Sequence, residues 1–211
     1  MEFILFSLLA YFLGSIPSAV WIGRTYYGVD VRNEGSKNAG ATNTFRVLGK
    51  KAGIIVLLMD IAKGVLAVTL PIIINDLGDF LWDDNEVIHF QLVAAISAIL
   101  GHVFPLFAGF KGGKGVATSL GVIVAIHPMT AVICFILFFI VFLIFNYVSL
   151  GAICASIAFP IVIHFVFKET DFWLNIFSVL LGAAVIFAHK KNIKRLIKGE
   201  ESKMRLFKKR S

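Results

Sequence analysis

The sequence is poor in cysteine and in charge, and it has no polar stretch long enough for a soluble domain. Its two cysteines, Cys134 and Cys154, lie within apolar runs, so we predict small reduced core residues and not a disulfide or metal site. Charged residues make up 16% of the 211 residues, whereas 58% are hydrophobic and 21 are phenylalanine. Soluble domains are only about half apolar. The composition therefore excludes a mainly soluble protein and predicts a polytopic membrane protein.

The chain also lacks an internal repeat and a basic segment before its first apolar run. We therefore expect the run that begins at Phe3 to be a retained span and not a cleaved signal peptide. The predicted fold is all-α, a single membrane domain over 1–211 with about seven transmembrane helices. The predicted spans are 3–23, 53–75, 88–108, 116–128, 129–147, 150–167 and 172–188. Residues 116–147 are divided at His127-Pro128, since one helix of that length would reach about 48 Å across a hydrocarbon core of ~30 Å.

The charges alternate between the two sets of predicted connections. A net charge of +7 would suggest a nucleic-acid partner for a soluble protein, but here Lys63 and Lys168 are the only two of the 20 lysines and arginines outside one set. The other set is acidic. Short basic loops stay cytoplasmic. We therefore predict an outer N-terminus, a cytoplasmic C-terminus and no nucleic-acid partner. The predicted cytoplasmic polar segments are 24–52, 109–115, 146–149 and 189–211, and the basic tail after Lys198 is expected to lie on the anionic inner leaflet.

The first candidate site is the polar segment 35–43, which reads Gly-Ser-Lys-Asn-Ala-Gly-Ala-Thr-Asn. Its glycines allow the backbone to approach a ligand closely, and its hydroxyls and amides supply donors beside Arg46. A flexible polar linker is the alternative. The density of donors next to a cation favours an anion site.

A second candidate is Lys114, which stands among glycines in the segment 109–115. The segment differs from a nucleotide-binding P-loop because Gly115 stands where the Ser or Thr of that motif belongs. Lys114 lies at the predicted start of a helix near Val116, which is a favourable position for a phosphate. Lys111 is explained as an interfacial anchor.

Two residue pairs and one histidine could each have either a structural or a chemical role. His189 and Asn192 are three residues apart at the inner end of the last span, so both can face one cavity or simply lie at an interface. Asp60 and Lys63 have the same spacing inside a span, and a mutual salt bridge is the simpler explanation. His102 either orients the glycine-rich loop or is a satisfied interfacial histidine.

Taken together, these residues resemble the acyl-phosphate:glycerol-3-phosphate 1-acyltransferase family of bacterial phospholipid synthesis. The similarity extends in order from residue 14 to residue 200. The matching stretches are Gly14-Ser15-Ile16-Pro17, Gly35-Ser36-x-Asn38-x-Gly40-Ala41-Thr42-Asn43, Asp60-x-x-Lys63-Gly64, Gly101-His102-x-Phe104-Pro105, Phe110-Lys111-Gly112-Gly113-Lys114-Gly115-Val116-Ala117-Thr118, Tyr147-Val148-Ser149-Leu150, and His189-x-x-Asn192-Ile193-x-Arg195-Leu196 with Gly199 and Glu200. One departure is Asn146, where members of the family often carry arginine.

The resemblance implies a bacterial inner-membrane enzyme that needs no cofactor. It would transfer a fatty acyl group from acyl phosphate to the 1-hydroxyl of glycerol 3-phosphate, with its active site on the cytoplasmic face. The residues implied in catalysis are Lys114, His189, Ser36 and Arg46. Those implied in substrate binding are Asn38, Gly40, Thr42, Asn43, Gly112, Gly113, Gly115, Ser149 and Asn192.

This chemistry also suits the residues themselves. Acyl phosphate is a mixed anhydride with a good leaving group, so the reaction requires neither an enzyme nucleophile nor a metal. It does require two anionic substrates to be held and aligned. We expect Lys114 and Arg46 to compensate charge and backbone N–H groups of 35–43 and 112–115 to bind phosphate. The proton acceptor stays open between His189 and a substrate phosphate. An organic-phosphate secondary transporter is the alternative function, and the oligomeric state is left open, with a monomer among the options.

Overall fold

A computed structural model describes residues 2–78 and 82–204, apart from the side chain of Asp84. Two compact units divide the chain, Met1–Pro128 (unit 1) and Met129–Ser211 (unit 2). The helices of unit 1 are α1 (Glu2–Gly14), α2 (Ser18–Tyr27), α3 (Ala41–Leu48), α4 (Lys50–Leu77), α5 (Asp84–Val103) and α6 (Val116–Ile126), with a 3-10 turn at Leu106–Ala108. Unit 2 contains α7 (Pro128–Phe145, which starts at the last residue of unit 1), α8 (Val148–Ile161), a π-helical turn (Val162–Val166), α9 (Phe172–Ala188) and α10 (Lys190–Ile197).

The all-helical class is confirmed, since the described residues contain helices and no strand. Five helical stretches are long and apolar enough to cross a membrane: Glu2–Tyr27, Lys50–Leu77, Asn85–Ala108, Pro128–Phe145 and Val148–Val166. A sixth is the pair α9 and α10 when the two helices, bent by 59°, are counted as one span. The one predicted span that is left, 116–128, corresponds to α6, whose 11 residues extend only about 16 Å. Seven spans and the orientation of the termini therefore stay predictions.

Two proline-containing segments show where the sequence predicted breaks and where it did not. The predicted division of 116–147 is confirmed, because α6 ends at Ile126 and α7 begins at Pro128. The predicted span over 3–23 lies within one candidate membrane span, Glu2–Tyr27. It consists of α1 and α2, separated at Ser15, Ile16 and Pro17.

Small residues let the helices of unit 1 pack with their backbones in contact. A Cβ atom added to Gly14 of α1 would lie 2.1 Å from the carbonyl oxygen of Ala98 in α5. Between α4 and α6, a Cβ on Gly64 would lie 2.3 Å from the Thr118 oxygen, and one on Gly121 would lie 2.1 Å from the Ile61 oxygen. Lipid gives no hydrophobic drive for helices to associate, so close backbone packing of this kind holds membrane bundles together.

Several acidic residues of the predicted outer connections have local structural roles. Asp83 caps α5 by accepting a hydrogen bond from the Glu86 N–H at 2.8 Å, and the Glu86 carboxylate accepts one from the Asp83 N–H at 3.1 Å. Asp171 caps α9 by accepting one from the Leu174 N–H at 2.6 Å. These caps satisfy N–H groups that helix starts leave without partners. Asp79 and the basic tail at 205–211 lie outside the described residues.

Candidate active site

The polar segment 35–43 of unit 1 is folded around one buried side chain, Asn43. Its Oδ1 accepts a hydrogen bond from the Ser36 N–H at 2.8 Å, and its Nδ2 donates to the carbonyls of Val31 at 2.7 Å and Glu34 at 3.1 Å. Both amide protons of Asn43 are therefore used inside the loop. Gly35 is needed there twice over: it has a φ of 57°, and a Cβ would lie 2.5 Å from Asn43 Oδ1.

This arrangement presents some predicted residues to the surface and keeps Asn43 inside. Ser36 and Arg46 are exposed, whereas Asn38, Gly40 and Thr42 are partly buried. Gly40 precedes α3 in an extended conformation, and its carbonyl accepts hydrogen bonds from the first turn of that helix. Within segment 35–43, Asn43 shapes the loop while Ser36 stands at its surface.

A partly buried ion pair lies just before this loop and contacts the chain just before the other polar segment of unit 1. The Asp30 carboxylate binds Arg32 through Nε at 3.0 Å and Nη2 at 2.8 Å, and Arg32 Nη1 donates to the Ala108 carbonyl at 2.7 Å. The hydrogen bond from Arg32 holds the pKa of Asp30 well below its usual range, and the same bond raises the pKa of Arg32. The chain just before segment 35–43 is thus linked to Ala108, the residue that precedes segment 109–115. From its position, Arg32 was expected only to be one of the cations of the basic connections, although the Asp-x-Arg spacing is a sequence signal for this pair.

The glycine-rich loop 109–115 is tied back onto the end of α5. The Gly112 N–H donates to the Val103 carbonyl and the Gly113 N–H donates to the His102 carbonyl, each at 3.2 Å. These N–H groups, which the sequence analysis offered to phosphate, are used inside the protein. Lys114 is partly buried and comes directly before Gly115, the N-cap of α6, whereas Lys111 is exposed. The first N–H groups of α6 have no carbonyl partner in their own helix.

Beneath this loop, a buried polar network connects α2, α4, α5 and α6. Asp60 Oδ1 accepts a hydrogen bond from Ser18 Oγ at 2.9 Å and lies 3.0 Å from Lys63 Nζ, which confirms the predicted salt bridge. Lys63 Nζ also donates to the Ile16 carbonyl at 3.0 Å. His102 Nδ1 lies 3.6 Å from Asp60 Oδ1. The network therefore supports both the helix break at residues 15–17 and the base of the glycine-rich loop.

In unit 2, three donors converge on a carboxylate that the sequence analysis missed. Glu201 accepts hydrogen bonds from Ser149 Oγ at 2.7 Å, Asn192 Nδ2 at 2.6 Å and Arg195 Nε at 2.7 Å. The family resemblance had matched the neighbouring Glu200, which is exposed. Burial raises the pKa of Glu201, but the three hydrogen bonds outweigh burial and hold the pKa below its usual value. The sequence signal that could have revealed this position is the pair of acidic residues, Glu200 and Glu201, within a strongly basic tail.

The tail that carries Glu201 is fixed by its backbone as well. Gly199 has a φ of 69° and ends α10, while the Glu200 N–H donates to the Arg195 carbonyl at 2.8 Å. The Met204 N–H donates to the Asn146 carbonyl at 2.8 Å. Asn146 has a φ of 60°, which asparagine adopts more readily than most residues. This conformation gives the departure from the family pattern at Asn146 a physical reason.

His189 lies at the bend between α9 and α10 and is buried. Its Nδ1 is 2.7 Å from the Val185 carbonyl. Because a carbonyl can only accept, Nδ1 carries the proton, and Nε2 is the nitrogen able to accept one. Asn192 follows one turn later and is also buried. His189 and Asn192 thus lie buried close together along the chain, and the Val185 carbonyl orients the His189 ring.

These positions resolve into two groups, each within one unit. In unit 1, Arg32 lies between α2 and the loop that carries Ser36, α3 carries Arg46, and Arg32 binds the Ala108 carbonyl just before the loop that carries Lys114. In unit 2, Ser149 and Asn192 share the Glu201 carboxylate.

With this geometry in hand, comparison with known proteins identifies the family. The family model for glycerol-3-phosphate acyltransferases matches residues 4–199. The chain belongs to the glycerol-3-phosphate acyltransferase family. Glycerol-3-phosphate acyltransferases of Listeria monocytogenes and Fusobacterium nucleatum are 45% and 44% identical to it; each alignment covers 97% of this chain, and 98% and 100% of the relatives.

Solved structures agree with this family membership. A crystal structure of PlsY (YgiH), an integral membrane glycerol 3-phosphate acyltransferase in its glycerol 3-phosphate form, has a TM-score of 0.83 and 35% identity. The similarity covers 97% of this chain and 96% of that one. A second structure, the lysophosphatidic acid form, has a TM-score of 0.80 and 34% identity. The chain is thus an acyltransferase of the membrane, and these family members lend no support to the transporter alternative.

Proposed function

We propose that this protein transfers a fatty acyl group from acyl phosphate to the 1-hydroxyl of glycerol 3-phosphate. The products are 1-acylglycerol 3-phosphate and inorganic phosphate, and the reaction takes place at the cytoplasmic face of a bacterial inner membrane. The observation that carries the proposal is the family match over residues 4–199, which includes all of the candidate residues up to Asn192. The concentration of all but two lysines and arginines in one set of connections supports the orientation.

The protein itself forms no covalent bond in the proposed reaction. The acceptor hydroxyl attacks the acyl carbonyl, a C–O ester bond forms, and the bond from the carbonyl carbon to the phosphate oxygen breaks. Phosphate leaves with the electron pair, and the hydroxyl proton passes to a base. Rate enhancement then comes from alignment and from stabilising negative charge on the carbonyl oxygen and the leaving phosphate.

The unit 1 loops are suited to holding phosphate groups. Lys114 and the start of α6 offer a cation and helix N–H groups, and exposed Arg46 offers a second cation beside Ser36. We assign charge compensation to Lys114 and Arg46 and substrate contact to Ser36, Asn38 and Thr42. Asn43, whose amide protons are used in the loop, is assigned the role of shaping it. Gly40, Gly112, Gly113 and Gly115 are assigned to the backbone path around the phosphates.

In unit 2, His189 is the residue suited to accept the proton. Its Nδ1–H donates to the Val185 carbonyl, so Nε2 is the basic nitrogen. A substrate phosphate is the competing acceptor. Ser149 and Asn192 are assigned to substrate binding, and Glu201 holds both side chains in place.

Phosphate release from purified protein tests the proposal. Protein in detergent is incubated with acyl phosphate, with and without glycerol 3-phosphate, and phosphate and 1-acylglycerol 3-phosphate are measured. We expect rapid, acceptor-dependent release with one acylated product per phosphate. Release at the same rate without the acceptor, or no release with both substrates, would refute it.

A further inference from the structure

The imidazole of His102 fills the space in which a side chain at position 113 would lie. A Cβ atom built on Gly113 would be 2.2 Å from His102 Nε2 and 3.0 Å from its Cε1. Gly113 does not have a positive φ, so its backbone conformation is open to any residue. The contact with His102 is therefore what requires glycine at this position.

The neighbouring glycines are required for other reasons. A Cβ on Gly112 would lie 2.0 Å from the His102 carbonyl oxygen, which belongs to the backbone. Gly115 has a φ of 80°, which disfavours any side chain. Of these three positions, only Gly113 combines a φ open to other residues with a Cβ position blocked by side-chain atoms alone, and that side chain can be changed by mutation.

The imidazole is itself held firmly from the opposite side. His102 is 5% exposed, and its Nδ1 lies 3.1 Å from Thr118 Oγ1 and 3.6 Å from Asp60 Oδ1. Its carbonyl accepts the Gly113 N–H at 3.2 Å. His102 thus contacts the loop through both backbone and ring while α4 and α6 fix the ring's orientation.

We propose that His102 is a positioning residue whose ring sets the path of loop 109–115 and so the place of Lys114. Nε2 and Cε1 of the ring form the surface on which Gly113 rests, and the loop reaches α6 one residue after Lys114. A ring held by Thr118 and Asp60 fixes this path before any substrate binds, so the phosphate-binding groups need not reorganise. The catalytic part of this inference rests on the proposed function.

A double-mutant cycle between positions 102 and 113 tests the inference. His102→Asn places an amide group where Nδ1 contacts Thr118, so it preserves the buried network. It also leaves empty the space that Nε2 occupies next to Gly113. Gly113→Ala in the wild-type background should reduce kcat/KM by about 100-fold. In the His102→Asn background the same substitution should reduce it by about fivefold or less, since residues in contact show couplings of this order.

Gly112→Ala is the matched control. Its Cβ would meet the His102 backbone oxygen, which His102→Asn leaves in place, so its effect should be the same in both backgrounds. If Gly113→Ala reduced kcat/KM by equal factors in the two backgrounds, or had no effect in wild type, the positioning role would be overturned.

A second readout does not depend on acyl transfer. Lys111 is exposed, so the rate of trypsin cleavage after it reports how firmly the loop is held. Gly113→Ala should accelerate cleavage several-fold in wild type and much less in the His102→Asn background. Coupled cleavage rates in a protein without acyltransferase activity would sustain the positioning role and reject the proposed function. Equal acceleration in both backgrounds would reject the positioning role.

Discussion

Replacing Lys114 by alanine tests whether this lysine compensates substrate charge. A lysine about 4 Å from a phosphate at an effective dielectric of about 20, the value for a protein surface, contributes about 4 kcal/mol. Partial exposure of Lys114 reduces that figure, so we expect a 10²–10³-fold loss in kcat, the scale for one preorganised electrostatic group. The assay is acceptor-dependent phosphate release at matched protein levels.

Lys111→Ala is the control for Lys114→Ala, because the two lysines share one loop and differ in exposure. Lys111 is exposed, and exposed charges contribute little, so we expect a loss of about threefold or less. Both variants should insert and purify normally, since neither side chain belongs to the apolar core. Lys114→Arg should restore little activity, because the closely packed glycines leave little room for a planar guanidinium. Equal activity of Lys114→Ala and wild type would refute the assignment of Lys114 to the site.

Four further predictions follow from the charge pattern, the chemistry and the buried clusters. Cysteines placed at Gly78 and Ser202, in a chain without its native cysteines, should react with impermeant maleimide from opposite sides of the membrane; reaction from one side would contradict the predicted orientation. Acyl transfer should persist in chelator and without nucleotide, because acyl phosphate is already activated; abolition by chelator would contradict this mechanism. Asp60→Asn should destabilise the protein in thermal unfolding by about 3–5 kcal/mol, since it leaves Lys63 buried without its ion partner, and Asp60→Asn combined with Lys63→Met should recover most of the loss. Glu201→Gln should lower the unfolding temperature at pH 7. Because the folded pKa of Glu201 is lowered, its contribution to stability is complete above the unfolded pKa of about 4.3 and is lost as the pH falls through the folded pKa. The difference in unfolding temperature between Glu201→Gln and the wild type should therefore vanish in acid. A difference that stays unchanged in acid would contradict this prediction.

Local sequence signals predicted the parts of the fold that depend on neighbouring residues. Pro128 marks the end of one helix and the start of the next, because proline disfavours continuation of the preceding turn. Pro71 and Pro160 nevertheless lie inside α4 and α8, so proline predicts such a break without fixing it. The Asp60–Lys63 bridge followed from a spacing of three residues on one helix. The break at residues 15–17 is marked in the sequence only by Pro17, and the Ile16 carbonyl that it exposes is satisfied by Lys63 from another helix. That partner lies 47 residues away and leaves no local pattern.

The same limit applies to the candidate site. The donors at Ser149 and Asn192 were evident from the sequence, but the carboxylate that holds them, Glu201, is 52 residues from one of them and 9 from the other. Asn43 stays a predicted substrate contact, but the sequence did not show that both of its amide protons are used within the protein. Its partners, the Val31 and Glu34 carbonyls, are backbone atoms, so no side-chain pattern could reveal them.

The glycines of loop 109–115 show why a glycine-lysine pattern does not by itself identify phosphate donors. Two of its N–H groups, at Gly112 and Gly113, are spent on the carbonyls at the end of α5. Those hydrogen bonds hold the chain against α5, which is possible only because neither residue has a side chain. The pattern therefore encodes the anchoring of the loop, and we assign phosphate binding to Lys114 and the helix start only as part of the proposed function. The glycine-lysine pattern therefore predicts the position of Lys114 better than it predicts how many N–H groups of the loop are open to a phosphate.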